Sequence, residues 1–192
     1  MLRRYEKGDT LIEVLLAFAI FSMAAVSTIV LLNQGVAIAQ RSLEKSLVRQ
    51  QIDSQAELLR YLSATDDPAW AQVTNSAMIT TTPMSLSQAS CPDISNLGSK
   101  SFFVTQDSAG GFKVNKISTA SSNYQQAPVF SQISYDTAAP QARGMWVEVV
   151  KAENGVGTSA LDAYDFYIHT CWASTGTSVP MTVGTIVRIY GQ

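Results

Sequence analysis

At 192 residues the chain has room for one domain and an appendage. Its 13 basic and 15 acidic side chains leave a formal net charge of −2, and the basic residues are scattered, so there is no electrostatic case for nucleic acid. A single histidine cannot supply a metal cluster, and the expectation is a chain with no cofactor and no metal.

The chain opens MLRRYEKG, a short stub in which Arg3, Arg4 and Lys7 outweigh Glu6. Val14 to Leu32 follows as 19 residues without charge, proline or glycine. About 20 such residues cross a ~30 Å hydrocarbon core, and no later stretch approaches this length. The basic flank stays on the cytoplasmic side, which predicts a single-pass protein with the N-terminus in and the remainder outside. That outer remainder is mildly acidic.

Past the apolar run the sequence becomes amphipathic. Leu43, Leu47, Ile52, Ala56, Leu59 and Leu62 recur at spacings near three and four, with one step of five, and predict one apolar stripe on a helix. Arg41, Glu44, Lys45, Arg49, Asp53, Glu57 and Arg60 are assigned to the rest of its surface. No proline precedes Pro68, so one helix is expected from the stub to about Leu62, with Gly35 as its weak point. The turn-formers of SATDDPAW end it, and a short helix near Ala69–Val73 is allowed. Residues 63–101 otherwise read as an irregular Ser/Thr-rich loop.

Residues 102–192 read as an antiparallel sheet. SFFVTQDSAGGFKVNKI is a hairpin pattern with its turn at Asp107–Gly111. Met145–Lys151, Ala163–Trp172 and Thr182–Tyr190 are the stronger strands, joined by Gly/Ser/Thr-rich loops. One face of the sheet is expected to pack on the helical stripe, giving an α+β domain. Cys91 and Cys171 both fall on the predicted outer side, where an even cysteine count favours a disulfide between them over two buried free thiols.

The segment KGDTLIEV carries a resemblance. A basic leader ending in Gly8, then Asp9-Thr10-Leu11-Ile12-Glu13 and a long apolar helix, resembles the type IV pilin superfamily, which includes major and minor pilins and the pseudopilins of type II secretion. The motif covers residues 1 to about 35; beyond it the likeness is one of architecture. It implies cleavage by a prepilin peptidase between Gly8 and Asp9, leaving 1–8 as leader and 9–34 as a retained transmembrane and assembly helix. The amphipathic half, 35–62, continues it. A secretory signal differs, because its cleavage site follows the apolar stretch.

The resemblance also gives Glu13 a role. Cleavage leaves a cationic amine on Asp9, N-methylated in family members, and Glu13 would pair with the amine of a neighbouring subunit during assembly. The family usually has phenylalanine first after the cut. Asp9 instead places a second carboxylate beside the amine, at a helix N-terminus where negative charge is favoured. The partners implied are further copies, other pilin-like subunits, the peptidase, the membrane and its assembly platform.

No nucleophile elbow, zinc-protease helix, paired-cysteine motif or phosphate-binding loop occurs, so no enzyme is expected. His169 has no evident acid beside it and reads as a solvated or packed strand residue rather than a catalytic one. Asp66-Asp67 reads as a turn with capping potential rather than half of a cation site. The expected function is a structural subunit of a type IV pilus, with the Ser/Thr-rich, long-looped outer domain favouring a minor pilin. A type II secretion or competence pseudopilin is the neighbouring alternative. A permanently anchored extracellular binding domain is the alternative of another class. Adhesion, motility and DNA uptake are family activities that the sequence does not separate, and nucleic acid as a partner stays open on that account.

Overall fold

A computed structural model describes residues 9–85, 90–136, 138–152 and 162–191. The predicted leader, Gly8 included, and most of the loop after Ala152 lie outside the described residues. The chain divides into two compact units, Met1–Arg41 and Ser42–Gln192. Helix α1, Asp9–Ala64, contributes to both.

Up to Arg41, α1 runs without a break, as expected of a sequence with no proline. It continues through Gly35, where an added Cβ would meet nothing within 4 Å. The large apolar side chains of this segment, Leu11 to Ile38, are exposed.

From Ser42 onward α1 packs on the sheet of its own unit. Val48, Ile52, Ala56, Leu59 and Leu62 are buried and share one core with the strands. The stripe is rotated from the expected one: Leu43 is 61% exposed and Leu47 only half-buried, whereas Glu44 and Gln55 lie on the buried face. Two polar residues are tolerated there because each finds partners across the interface.

After Ala64 the chain reverses through Asp66, which adopts φ 49°. Asp67 then caps α2 (Pro68–Val73): its Oδ1 accepts from the Ala69 N–H at 2.8 Å, and Pro68 fills the first turn, where a missing N–H costs nothing.

The main sheet contains β1 (Phe102–Gln106), β2 (Phe112–Lys116), β6 (Met145–Ala152), β7 (Ala163–Trp172) and β8 (Met181–Tyr190). Its order is β2-β1-β6-β7-β8, antiparallel throughout. The β1–β2 turn is closed by Asp107, whose Oδ1 accepts from the N–H groups of Ala109 and Gly111. β7 is the spine, paired from Met145↔Thr170 to Ala152↔Ala163 on one side and from Ala163↔Tyr190 to Trp172↔Met181 on the other. Strand alternation puts Val147, Val149, Phe166, Ile168, Val187 and Ile189 on the helix-facing side. Trp146, Glu148, Tyr167, His169 and Cys171 lie on the opposite face.

β1 and β6 meet only at Phe102↔Val147. Beyond that point the two strands acquire substitute partners. Gln55 of α1 takes both backbone groups of Val104, donating through Nε2 to the carbonyl at 2.9 Å and accepting the N–H on Oε1 at 3.0 Å. On β6, a parallel bridge from Ile79 to Val149 brings the Thr80 N–H to the Val149 carbonyl at 2.8 Å.

A second small sheet was not apparent in the sequence. β3 (Tyr124–Gln125) runs parallel to β5 (Gln141–Arg143), and β4 (Gln132–Ser134) runs antiparallel to β5. It passes into β6 at Gly144, where φ is +64° and a Cβ would fall 2.2 Å from the Cys171 carbonyl oxygen. Only glycine fits there.

Candidate assembly segment and the outer sheet face

The predicted site residues separate into an N-terminal group and the cysteine pair. Gly8 lies outside the described residues. Asp9 begins α1, and Glu13 sits one turn further on, exposed. Among the described residues Glu13 has no ion-pair partner.

Around and beyond Glu13, every large apolar side chain from Leu11 to Ile38 is 49–76% exposed. A contiguous apolar surface of this extent is not stable against water. Three hydroxyls within it are satisfied by the helix's own backbone. The hydroxyls of Ser22, Ser27 and Thr28 donate back to the carbonyls of Phe18, Met23 and Ala24 at 2.7, 2.8 and 2.8 Å. That arrangement suits a helix surrounded by hydrocarbon or by other apolar helices. Ala17 leaves a shallow recess between Val14, Phe18 and Phe21. By length and composition this is a candidate membrane span.

Cys91 and Cys171 form a disulfide, with Cα atoms 5.5 Å apart and 80 residues apart in sequence. It ties the segment after Ser90 to β7. Polar contacts reinforce the junction: Gln126 Nε2 donates to the Cys91 carbonyl, and the Tyr124 hydroxyl donates to the Pro92 carbonyl. Burial, then the neighbouring Asp93 charge, pushes the Tyr124 phenol well above its ordinary value. Asp93 itself is held below the usual carboxylate range, first by the Ser95 hydroxyl and then by the Asn96 N–H.

The outer sheet face corrects one expectation. His169 does have an acid beside it: Glu148 Oε2 lies 3.3 Å from His169 Nε2, and both side chains are 6% exposed. The pair arises from register. Trp146 faces His169 and Glu148 faces Tyr167, so Glu148 and His169 are diagonal neighbours on one face. Neither ring nitrogen of His169 has a hydrogen-bond partner among the described residues. Its ring is stacked against Trp146 and parallel to Tyr167, with centroids 5.3 and 6.0 Å away. Glu148 Oε2 also accepts the Met84 N–H at 2.7 Å, pinning the chain that crosses above. Between that crossing and β8 lies a cavity of 680 Å³ lined by Pro83, Met84, Tyr167, His169, Gly184 and Ile186 among others. The hydroxyl residues Ser85 and Thr185 line the same cavity.

Two further polar residues lie on the buried face of α1. Glu44, expected on the helix surface, is buried and accepts from the Trp172 indole at 3.0 Å and the Ser174 hydroxyl at 2.6 Å. Gln55 holds Val104 and donates to the Tyr135 hydroxyl at 3.2 Å. The available signal was spacing: Glu44 is four residues before Val48, and Gln55 three after Ile52, so both lie on the stripe that Val48 defines.

Comparison with family models, with curated proteins and with solved structures finds no match to this chain.

Proposed function

We propose that this chain is a structural subunit of a helical filament of the type IV pilin kind, entering it through the N-terminal half of α1 after cleavage between Gly8 and Asp9. One observation carries the reading. The apolar surface from Leu11 to Ile38 is left uncovered by the described chain, and its single carboxylate, Glu13, stands one turn from the helix start without a partner. Lipid covers this surface before assembly and neighbouring subunits cover it afterwards. In either setting an isolated carboxylate is unfavourable, by roughly 3–5 kcal/mol on the scale of broken buried ion pairs. The amine freed on a neighbour's Asp9 relieves that cost and sets the axial register, while apolar packing supplies the contact area. The basic stub and the Cys91–Cys171 disulfide support an orientation with the C-terminal unit outside. Within the superfamily we favour a minor pilin; a pseudopilin of type II secretion or competence is distinguished by which filament contains the subunit.

The test is co-expression with a prepilin peptidase and mass analysis of the product. The expected mature chain begins at Asp9, and Glu13→Ala still reaches the membrane but is absent from sheared filaments. Recovery of uncut protein alone, or normal incorporation of Glu13→Ala, would sink the proposal.

A further inference from the structure

The two edges of the main sheet are protected very differently. β2 is five residues long, carries Lys113 and Lys116, and has α2 against it. Short length, lysines and a covering element are the usual guards against edge-to-edge pairing. Among the described residues β8 has none of them. It runs for ten residues, Met181–Tyr190, in unbroken register with β7, so it contains no bulge, and its proline, Pro180, precedes the strand. Its one charged residue, Arg188, turns back across the strand onto Asp165 in a bidentate pair at 2.7 and 2.7 Å. Among the described residues no strand pairs with the outer side of β8.

A row of free N–H and C=O groups is satisfied best by another extended strand. We propose that the partner is β8 of a second copy, paired antiparallel about a two-fold axis through Thr185. The sequence of the edge is self-complementary in that register. Gly184 faces the partner's Ile186, Val183 faces the partner's Val187, and Thr182 faces the partner's Arg188. No like charges are opposed, and Met181 faces the partner's Ile189. Head-to-tail pairing with β2 would leave half of β8 open, and β2 against β2 would bring lysines together.

The cavity supplies a second, separate reason. Gly184 and Ile186 lie on the same sheet face as His169 and Tyr167, their register partners in β7. Three successive residues of the edge, Gly184, Thr185 and Ile186, line the 680 Å³ cavity. Glycine at 184 leaves its rim without a side chain. An antiparallel partner with a perpendicular two-fold keeps like faces together, so the partner's Ile186 is set beside Gly184 at this rim. Ile186 is 57% exposed in the single chain. The contact thus covers the exposed isoleucine of each copy with the cavity of the other, twice per dimer.

This contact is isologous and closes on two copies. It does not propagate a filament, and it stands or falls independently of the Glu13 reading.

The full chain in detergent carries the test, with Thr185→Cys as the probe. Paired residues on an antiparallel ladder have Cα atoms about 4.5–5.5 Å apart, inside the range a disulfide spans. Mild oxidation is expected to give a covalent dimer at residue 185. Tyr190→Cys is the matched control. In this register two copies of residue 190 are ten residues out of step, about 34 Å at ~3.4 Å per residue, and should not cross-link. Adding Ile186→Lys, an exposed site whose folding is checked by the intact native disulfide and the thermal transition, should abolish the cross-link at residue 185. Equal cross-linking at 185 and 190 would show association through the apolar half of α1 alone and overturn the proposal. So would an unlinked Thr185→Cys protein, a cross-link that survives Ile186→Lys, or capture of β8 by a different protein's strand in place of a second copy.

Discussion

Gln55 offers the most direct measurement of what holds the helix to the sheet. Its side chain is fully buried and occupies both backbone groups of Val104, at the point where β1 has left β6. Gln55→Ala removes the two hydrogen bonds to Val104, together with the one to the Tyr135 hydroxyl, and leaves a buried N–H and a buried C=O without partners. Each such group costs about 1–3 kcal/mol, so a loss of about 2–5 kcal/mol is expected before any cavity contribution. At about 2–4 °C per kcal/mol for a domain of this size, the unfolding temperature should fall by roughly 4–20 °C. Gln55→Glu sharpens the test. Its ionised carboxylate still accepts the Val104 N–H but faces the Val104 carbonyl with a second acceptor, whereas the protonated acid restores the donor. Burial and the opposed carbonyl both raise the folded-state pKa of the introduced acid. Its stabilising contribution is therefore complete below the unfolded value of about 4.3 and is lost as pH rises through the folded value. Thermal unfolding of the full chain in detergent, followed by circular dichroism at several pH values, reads both effects. A Gln55→Ala loss under about 1 kcal/mol, or a Gln55→Glu variant whose deficit ignores pH, would refute the reasoning that Gln55 replaces a missing strand.

Two further outcomes follow from the same unit. The disulfide closes an 80-residue separation, so chain-entropy arithmetic puts its contribution at up to about 4.5 kcal/mol. Reduction, verified by thiol count, should lower the unfolding temperature by about 10 °C at the same ~2–4 °C per kcal/mol, and an unchanged transition would show that the loop is held without the bond. The Arg188 hydrogen bond holds the Asp165 carboxyl below its ordinary range against the opposing effect of burial. A depressed carboxylate stabilises above its unfolded value of about 3.9 and loses that contribution as pH falls through the folded value. Asp165→Asn should accordingly be less stable than the parent at neutral pH, with the gap closing in acid; a gap constant from pH 7 to pH 2 would contradict the pairing.

Much of the architecture was legible because it depends on local pattern. The absence of helix breakers predicts α1, Asp107 with Gly110 and Gly111 predicts the hairpin turn, and period-two runs place β6, β7 and β8 to within a residue at their ends. What escaped depends on partners far away in sequence. The strands β3, β4 and β5 span only two or three residues each, too few for any periodicity, and exist through pairing with one another. Leu43 and Leu47 look like core by residue type, yet the helix turns Glu44 and Val48 inward instead. Trp172 and Ser174, some 130 residues on, provide the hydrogen bonds that make an inward glutamate acceptable. Glu148 within MWVEVVK is buried for the same kind of reason, by the Met84 N–H and the adjacent His169.

That comparison bears on Glu13. A polar residue set among apolar ones carries two meanings in this chain, and the two are told apart by what the fold does with it. Glu44, Gln55 and Glu148 each interrupt an apolar pattern, and each is buried against donors or acceptors from a distant segment of the same chain. Glu13 stands at the head of the longest apolar run of all, yet it is exposed and has no ion-pair partner among the described residues. Its apolar neighbours are exposed with it, so whatever covers them also removes water from the carboxylate. Lipid brings no fixed cation into that environment, whereas in the proposed filament the cleaved N-terminus of an adjacent subunit would bring one at the same depth along an equivalent helix. Under the proposed function, the cost of an unpaired charge in low dielectric would then favour the packed filament over dispersal in the bilayer, and favour it at one axial offset. On this reasoning Glu13→Gln, which keeps size and hydrogen bonding but not charge, should enter the membrane more readily than the parent and assemble less well. A substitution that only weakened packing would impair both or neither.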